Sequence, residues 1–198
     1  MSAALDNGLA VTALHNHFLF DEPRVFFMHI GGEGTPEELA RGVRAALDRV
    51  KQVRAGAAHP AAASARSAVP TKSAIPAEKL DAELGIKGQA KDGMYKAVLG
   101  RTVGMPCGCE AGKEMGVNTW SAFAGDAEHA LVDGDFVTFE GELQPVLKAL
   151  RHAGIDVVAI HSHMEGESPK AIFLHYWGVG RAEDLARAIK SALDTLKK

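Results

Sequence analysis

The stretch Val157-Val158-Ala159-Ile160-His161-Ser162-His163 is β-branched and apolar up to its two histidines. Seven residues further on, Lys170-Ala171-Ile172-Phe173-Leu174-His175-Tyr176-Trp177 is a second run of strand-forming residues. Between them Gly166-Glu167-Ser168-Pro169 supplies the turn, and Gly178 and Gly180 break the second run. Leu185, Ile189, Ala192, Leu193 and Leu196 then recur at helical spacing. The segment therefore predicts strand, turn, strand and an amphipathic helix.

The same unit occurs earlier. Ala13-Leu14-His15-Asn16-His17 matches Ala159–His163 at an offset of 146 (161 − 15), and Gly8–Asp48 aligns without a gap to Gly154–Asp194, with 17 identities in 41 positions. Pro23/Pro169, Phe27/Phe173, His29/His175 and Leu39–Arg41/Leu185–Arg187 are among them. In the first copy Thr35-Pro36-Glu37-Glu38 reads as a helix start, with an N-cap Thr, Pro at the first position and acids in the first turn. Only the second copy has a full preamble. Tyr95–Leu99, Thr119–Ala124 and Ala130–Phe139 read as strands, and Glu142–Ala153 as a helix with Pro145 in its first turn. The pattern predicts an α+β fold, β-β-β-α-β-β-α, with an antiparallel-rich sheet and helices packed on one face.

Three segments follow: 1–54 as a partial first repeat, 55–76 as an Ala/Ser/Pro-rich linker, and 77–198 as a complete domain. A hairpin plus one helix buries too little surface to stand alone, so the first copy is expected to dock on the second domain or on another chain. Its unpaired strand edges suggest a homodimer. The chain lacks the basic region and long apolar core of a signal peptide, which predicts a cytoplasmic protein as the sequence stands. The abbreviated first copy reads as the end of a longer unit; if an upstream segment is missing, the protein is exported or periplasmic instead. A net charge of −3 argues against a nucleic-acid partner, and no run is long and apolar enough for a membrane span.

Nine histidines stand beside two tyrosines and two tryptophans. Six of them form one pattern used twice: His15, His17 and His29, then His161, His163 and His175. Histidines two apart on a strand face the same way, about 6.5–7 Å apart. The third follows twelve residues after the second (29 − 17 and 175 − 163), on the partner strand. If the turn pairs His161 or its neighbour with a residue near Phe173, the three imidazoles converge; a one-residue slip separates them. Convergent neutral imidazoles suit a borderline transition metal such as zinc, copper, nickel or iron. Their other readings are general acid–base catalysis and buried hydrogen-bonded structure.

Cys107 and Cys109 lie in a glycine-rich loop, Gly104-Met105-Pro106-Cys107-Gly108-Cys109-Glu110. The spacing reads as poorly suited to a disulfide between the two and well suited to sharing a soft metal, with Met105 and Met115 as further ligands; a redox pair is the competing reading. No dinucleotide fingerprint, Walker motif, Gly-x-Ser-x-Gly or His-Glu-x-x-His is present. His59, His129 and His152 have no repeated partner and read as surface or loop residues.

The order Leu80-Asp-Ala-Glu-Leu-Gly-Ile-Lys-Gly with Asp92-Gly-Met-Tyr-Lys, then Gly134-Asp-Phe-Val with Glu142-Leu-Gln-Pro-Val-Leu-Lys-Ala-Leu, then His161-Ser-His-Met with Phe173-Leu-His-Tyr-Trp, resembles the LppY/LpqO family. These are bacterial proteins of unknown function named after lipoproteins and often exported. The resemblance covers residues 78–198 and, in the first half, 8–50. It implies two such halves, each ending in the histidine hairpin and helix, and no activity. The chain departs from the family in its shortened first half and in the Cys-Gly-Cys loop, where relatives carry a plainer Pro-containing segment. Three functions are consistent with these features. The leading one is a metal-binding protein acting in sequestration, sensing or resistance. The second is a metal-dependent, hydrolase-type enzyme with an open triad and Glu165 or Glu167 as general base. The third is an interaction module with structural histidines. Cysteines joined to a triad would close the site, whereas a triad alone leaves a position open.

Overall fold

A computed structural model describes residues 1–16, 26–56 and 70–196. The chain forms two compact units, Met1–Arg66 and Ser67–Lys198.

The first unit contains α1 (Ser2–Leu5), β1 (Ala10–His15), β2 (Phe27–Gly31) and α2 (Pro36–Gly56). β1 and β2 pair antiparallel, with Ala13 opposite His29 and His15 opposite Phe27. α2 starts at the predicted N-cap Thr35, which the structure joins to Glu38 in a capping box. The Glu38 carboxylate accepts from the Thr35 backbone N–H at 2.9 Å, and the Thr35 hydroxyl accepts from the Glu38 N–H at 3.3 Å. Val43, Leu47, Val50 and Val53 of α2 remain exposed.

The second unit contains α3 (Ala77–Leu84), β3 (Gln89–Lys91), β4 (Met94–Gly100), β5 (Val103–Gly104), β6 (Glu110–Ala111), β7 (Asn118–Gly125), β8 (Ala130–Phe139), α4 (Leu143–His152), β9 (Asp156–His161), β10 (Ala171–Gly180) and α5 (Ala182–Leu193). Within it the strand order is β9-β10-β8-β7-β4-β3, every neighbour antiparallel. The α+β class and the antiparallel sheet are those the sequence pattern predicts. α3 and β3 are additions to it. Eight residues with two buried anchors, Leu80 and Leu84, are too few to register as a period. Among the described residues no helix is long and apolar enough to cross a membrane.

Alternation along β7, β8 and β10 sends Phe123, Val132, Phe136, Leu174 and Tyr176 to one face, where α4 and α5 bring Leu147, Leu150, Leu185 and Ile189 over them. Each such side chain stabilises by about 1.5–3 kcal/mol when fully buried. Tyr176 lies flat across Gly134 on the neighbouring strand. A Cβ at Gly134 would sit 2.2 Å from the tyrosine Cζ and hydroxyl, so only glycine fits there. The tyrosine hydroxyl donates to the Trp120 carbonyl at 3.0 Å and shares a 2.6 Å hydrogen bond with Ser121.

The opposite face is organised in cross-strand rows. Trp120, Asp135, His175 and Ala159 form one; Lys96, Ala122, Asp133 and Trp177 the next; Val137, Phe173 and His161 the row on the other side. Residues 101–117 cover the last of these. Val103, Ala111 and Val117 pack on Val137, Ala171 and Phe173. Arg101 anchors that segment by donating to the buried Glu142 carboxylate, which also accepts the Phe139 N–H at 2.7 Å. Among the described residues of this unit, no helix is placed over the first two rows.

Candidate functional site

The register of β9 and β10 puts His161 opposite Phe173 and Ala159 opposite His175, so the imidazoles of 161 and 175 stand on one face in adjacent rows. This is the convergent register. Their rings stack at 4.8 Å between centroids, 22° apart in plane. His163, two residues past His161, returns to the same face and stacks on Phe173 at 3.7 Å. Its Nε2 lies 2.9 Å from the Nε2 of His161, a hydrogen bond between the two imidazoles.

β8 supplies the carboxylate. Asp135 is the direct partner of His175, and its side chain is 6% exposed. Its Oδ2 stands 3.9 Å from His163 Nε2, and its Oδ1 stands 4.0 Å from His175 Nδ1. Both separations are too long for hydrogen bonds. Asp135 Oδ1 and His161 Nδ1 are buried without a hydrogen-bond partner. Burial raises the Asp135 carboxyl above the usual carboxylate range against the pull of His175 and His163, and it raises Asp133 likewise, against His175. Burial, then the neighbouring His163 and His175, lowers His161. A desolvated carboxylate with an unused oxygen, facing two imidazoles, is a site that a cation or a proton would complete.

Donors around one tetrahedral ion stand about 3.4 Å apart when metal–ligand bonds are about 2.1 Å. Here one pair is closer, at 2.9 Å, and two are wider, at 3.9 and 4.0 Å. Among the described residues no group of three or more His, Cys, Asp or Glu side chains is already gathered as a metal site.

The other predicted residues distribute as follows. His15 and His29 stack at 5.0 Å, in the same register as His161 and His175. His17 lies outside the described residues, as does His59. Unit 1 has no third strand among its described residues to supply an equivalent of Asp135.

Cys107 and Cys109 correct the sequence reading, because they are joined in a disulfide. Gly108 adopts φ +78°, and hydrogen bonds from Met105 N–H to Cys109 O and from Gly108 N–H to Met105 O fold the loop back on itself. The two Cα atoms come to 5.5 Å, inside the range that a disulfide spans. Sulfurs so bonded are not thiolate ligands.

Glu167 also differs from expectation. It is buried and braces the turn, accepting from the Ala171 N–H at 3.1 Å and pairing with Lys170 at 3.0 Å. Burial raises its carboxyl, but Lys170 and backbone N–H donors outweigh this and hold it below the usual range. A carboxylate so engaged is not a poised base. Glu165 is exposed on the turn. His129 caps the β7–β8 turn through its backbone and is exposed, and His152 is exposed in the last turn of α4.

Asp133 and Asp135 are the residues that sequence reasoning missed. Their signal is Asp133-Gly134-Asp135 inside a strand otherwise made of Ala, Leu, Val, Phe and Thr. Aspartate is depleted in strands, and a pair at alternate positions shares one face. Beside Asp133 the open face sinks into a groove of about 320 Å³ walled by Ala122, Leu131 and Trp177, with Lys91 and Lys96 at its far side.

The chain belongs to the family whose model, DUF1529, carries the description Domain of Unknown Function (DUF1259), which it matches over residues 1–49 and 78–195. Those spans contain both histidine hairpins, Asp133, Asp135 and the Cys107–Cys109 loop. No curated protein and no solved structure matches the chain. The description carries no activity, so the functional reading rests on the chemistry of the site.

Proposed function

We propose that this DUF1259-family chain binds one transition-metal ion, of the zinc, copper, nickel or iron class, with His161, His163, His175 and Asp135 as its donors. The observation that carries the reading is Asp135, a buried carboxylate with a partnerless oxygen set against two imidazoles and one residue row from a third. Burying a charge without compensation is costly, and a cation in contact with Asp135 would remove that cost. Three nitrogens and one oxygen form a donor set suited to these metals. Such an ion would act as a Lewis acid toward a bound oxygen.

A second reading, a metal-dependent enzyme, is favoured by one observation. The His163 and His175 side chains keep 37% and 42% exposure. An ion on four protein donors would take a bound molecule from that side by expanding to five ligands. Export, which the LppY/LpqO resemblance implies, agrees with a disulfide at Cys107–Cys109, since such bonds persist in oxidising compartments.

Cobalt titration tests the proposal. Visible d–d absorption should saturate at one equivalent without thiolate charge-transfer bands, and should vanish in His161→Ala/His163→Ala. A flat spectrum at one equivalent, or bands unchanged in the double variant, would overturn it.

A further inference from the structure

We propose that the groove beside Asp133 is the binding site for a small aromatic carboxylate bearing a hydroxyl or amino group at its far end, presented to the imidazole centre. The proposal builds on the metal reading only in taking this molecule to be the substrate. Its binding can be measured without metal.

The groove and the centre occupy one open sheet face in adjacent rows. Asp133 and Asp135 are two residues apart on β8, and Trp177 and His175 two apart on β10, each step about 6.5–7 Å. The walls of Ala122, Leu131 and Trp177 are apolar, and small alanine side chains against a large indole leave a slot suited to a flat ring. At about 320 Å³ it sits at the small end of ligand cavities.

Charge sets the orientation. Lys91 and Lys96 line one side and form no ion pair among the described residues; Lys96 Nζ lies over the Trp120 ring at 4.6 Å, which fixes the ammonium beside the face. Asp133 lies in the same row as Lys96, two strands away, or about 10 Å at the usual strand spacing. A molecule spanning that distance would meet ammonium groups with its anionic end. Its other end would need a hydrogen-bond donor for Asp133, whose half-buried carboxylate is next to the centre. A simple apolar ligand would use neither, and a dianion would be repelled at Asp133.

The probe is 1-anilinonaphthalene-8-sulfonate, followed by its fluorescence in EDTA, with 2-naphthoate and 6-hydroxy-2-naphthoate as displacers. Ala122→Phe, which fills the slot, should abolish saturable binding. Lys96→Glu, an exposed change that keeps the fold, should weaken it about tenfold or more. Leu47→Asp on the exposed stripe of α2 should leave it unchanged. The hydroxy displacer should bind at least about fivefold tighter than naphthoate, an advantage that Asp133→Asn removes. Binding indifferent to both Ala122→Phe and Lys96→Glu would overturn the site, and equal affinity of the two displacers would overturn the role of Asp133. His161→Ala/His163→Ala should lose metal yet keep probe binding. Loss of the groove with metal binding intact would refute this inference alone, and absence of metal with the groove intact would refute only the centre.

Discussion

Replacing Asp135 with Asn should make the metal-free protein more stable and the metal-loaded protein less so. The carboxyl is buried, its Oδ1 lacks a partner, and burial holds it above the usual carboxylate range. A buried ion carries an effective desolvation penalty of several kcal/mol that a neutral amide of the same shape escapes in part. Asparagine keeps the shape and sheds the charge. Taking about 2 kcal/mol, and about 3–5 °C per kcal/mol for a unit of this size, the melting temperature in EDTA should rise about 6–10 °C. Metal at a hundred times its Kd stabilises the wild type by about 2.7 kcal/mol, or about 10 °C. The variant, having lost its anionic ligand, should gain little. The two proteins should therefore exchange order between EDTA and zinc when scanned by calorimetry at one pH. If Asp135→Asn melts lower in EDTA, Asp135 is a structural partner and the argument fails. An equal gain from zinc in both proteins would also refute it.

Glu142→Ala should cost about 3–5 kcal/mol, read as a lower urea midpoint, because it strands the Arg101 guanidinium against the Phe139 ring and leaves the Phe139 N–H without its acceptor. Thiol titration of the unreduced protein should find no free cysteine and, after reduction, two; Cys107→Ser/Cys109→Ser should leave metal stoichiometry and affinity unchanged, and a loss of metal would restore the cysteines as ligands. The Gly88 N–H and the Tyr95 hydroxyl hold the Asp81 carboxyl below its ordinary range. Its contribution is therefore present above the unfolded pKa, about 3.9, and is lost as pH falls through the lower folded value. Asp81→Asn should flatten the acid limb of the stability–pH curve, and an unchanged limb would contradict the assignment.

The hairpins and helices were legible because burial on one face imposes a period. Ala130–Phe139 falls at the bounds its residues predict, and α4 begins one residue past Glu142. The convergence of His161 and His175 depended on register, which the sequence left conditional and the pairing of His161 with Phe173 resolves. Asp135 was hidden for a different reason. It comes from a strand 26 residues upstream of His161 (161 − 135), and only the β10–β8 ladder makes it a neighbour of His175. The Cys107–Cys109 bond depended on a local turn, where Gly108 takes a left-handed φ that residue spacing does not reveal. Glu167 looked like a base because turn carboxylates are usually solvated, yet this one is held by Lys170 and Ala171.

Elemental analysis of protein purified without an affinity tag tests the central claim most directly, comparing wild type with His161→Ala/His163→Ala after reconstitution and desalting. The account predicts one tightly held transition-metal ion per wild-type chain and none in the variant. A wild type without stoichiometric metal, or a variant that retains it, would contradict it.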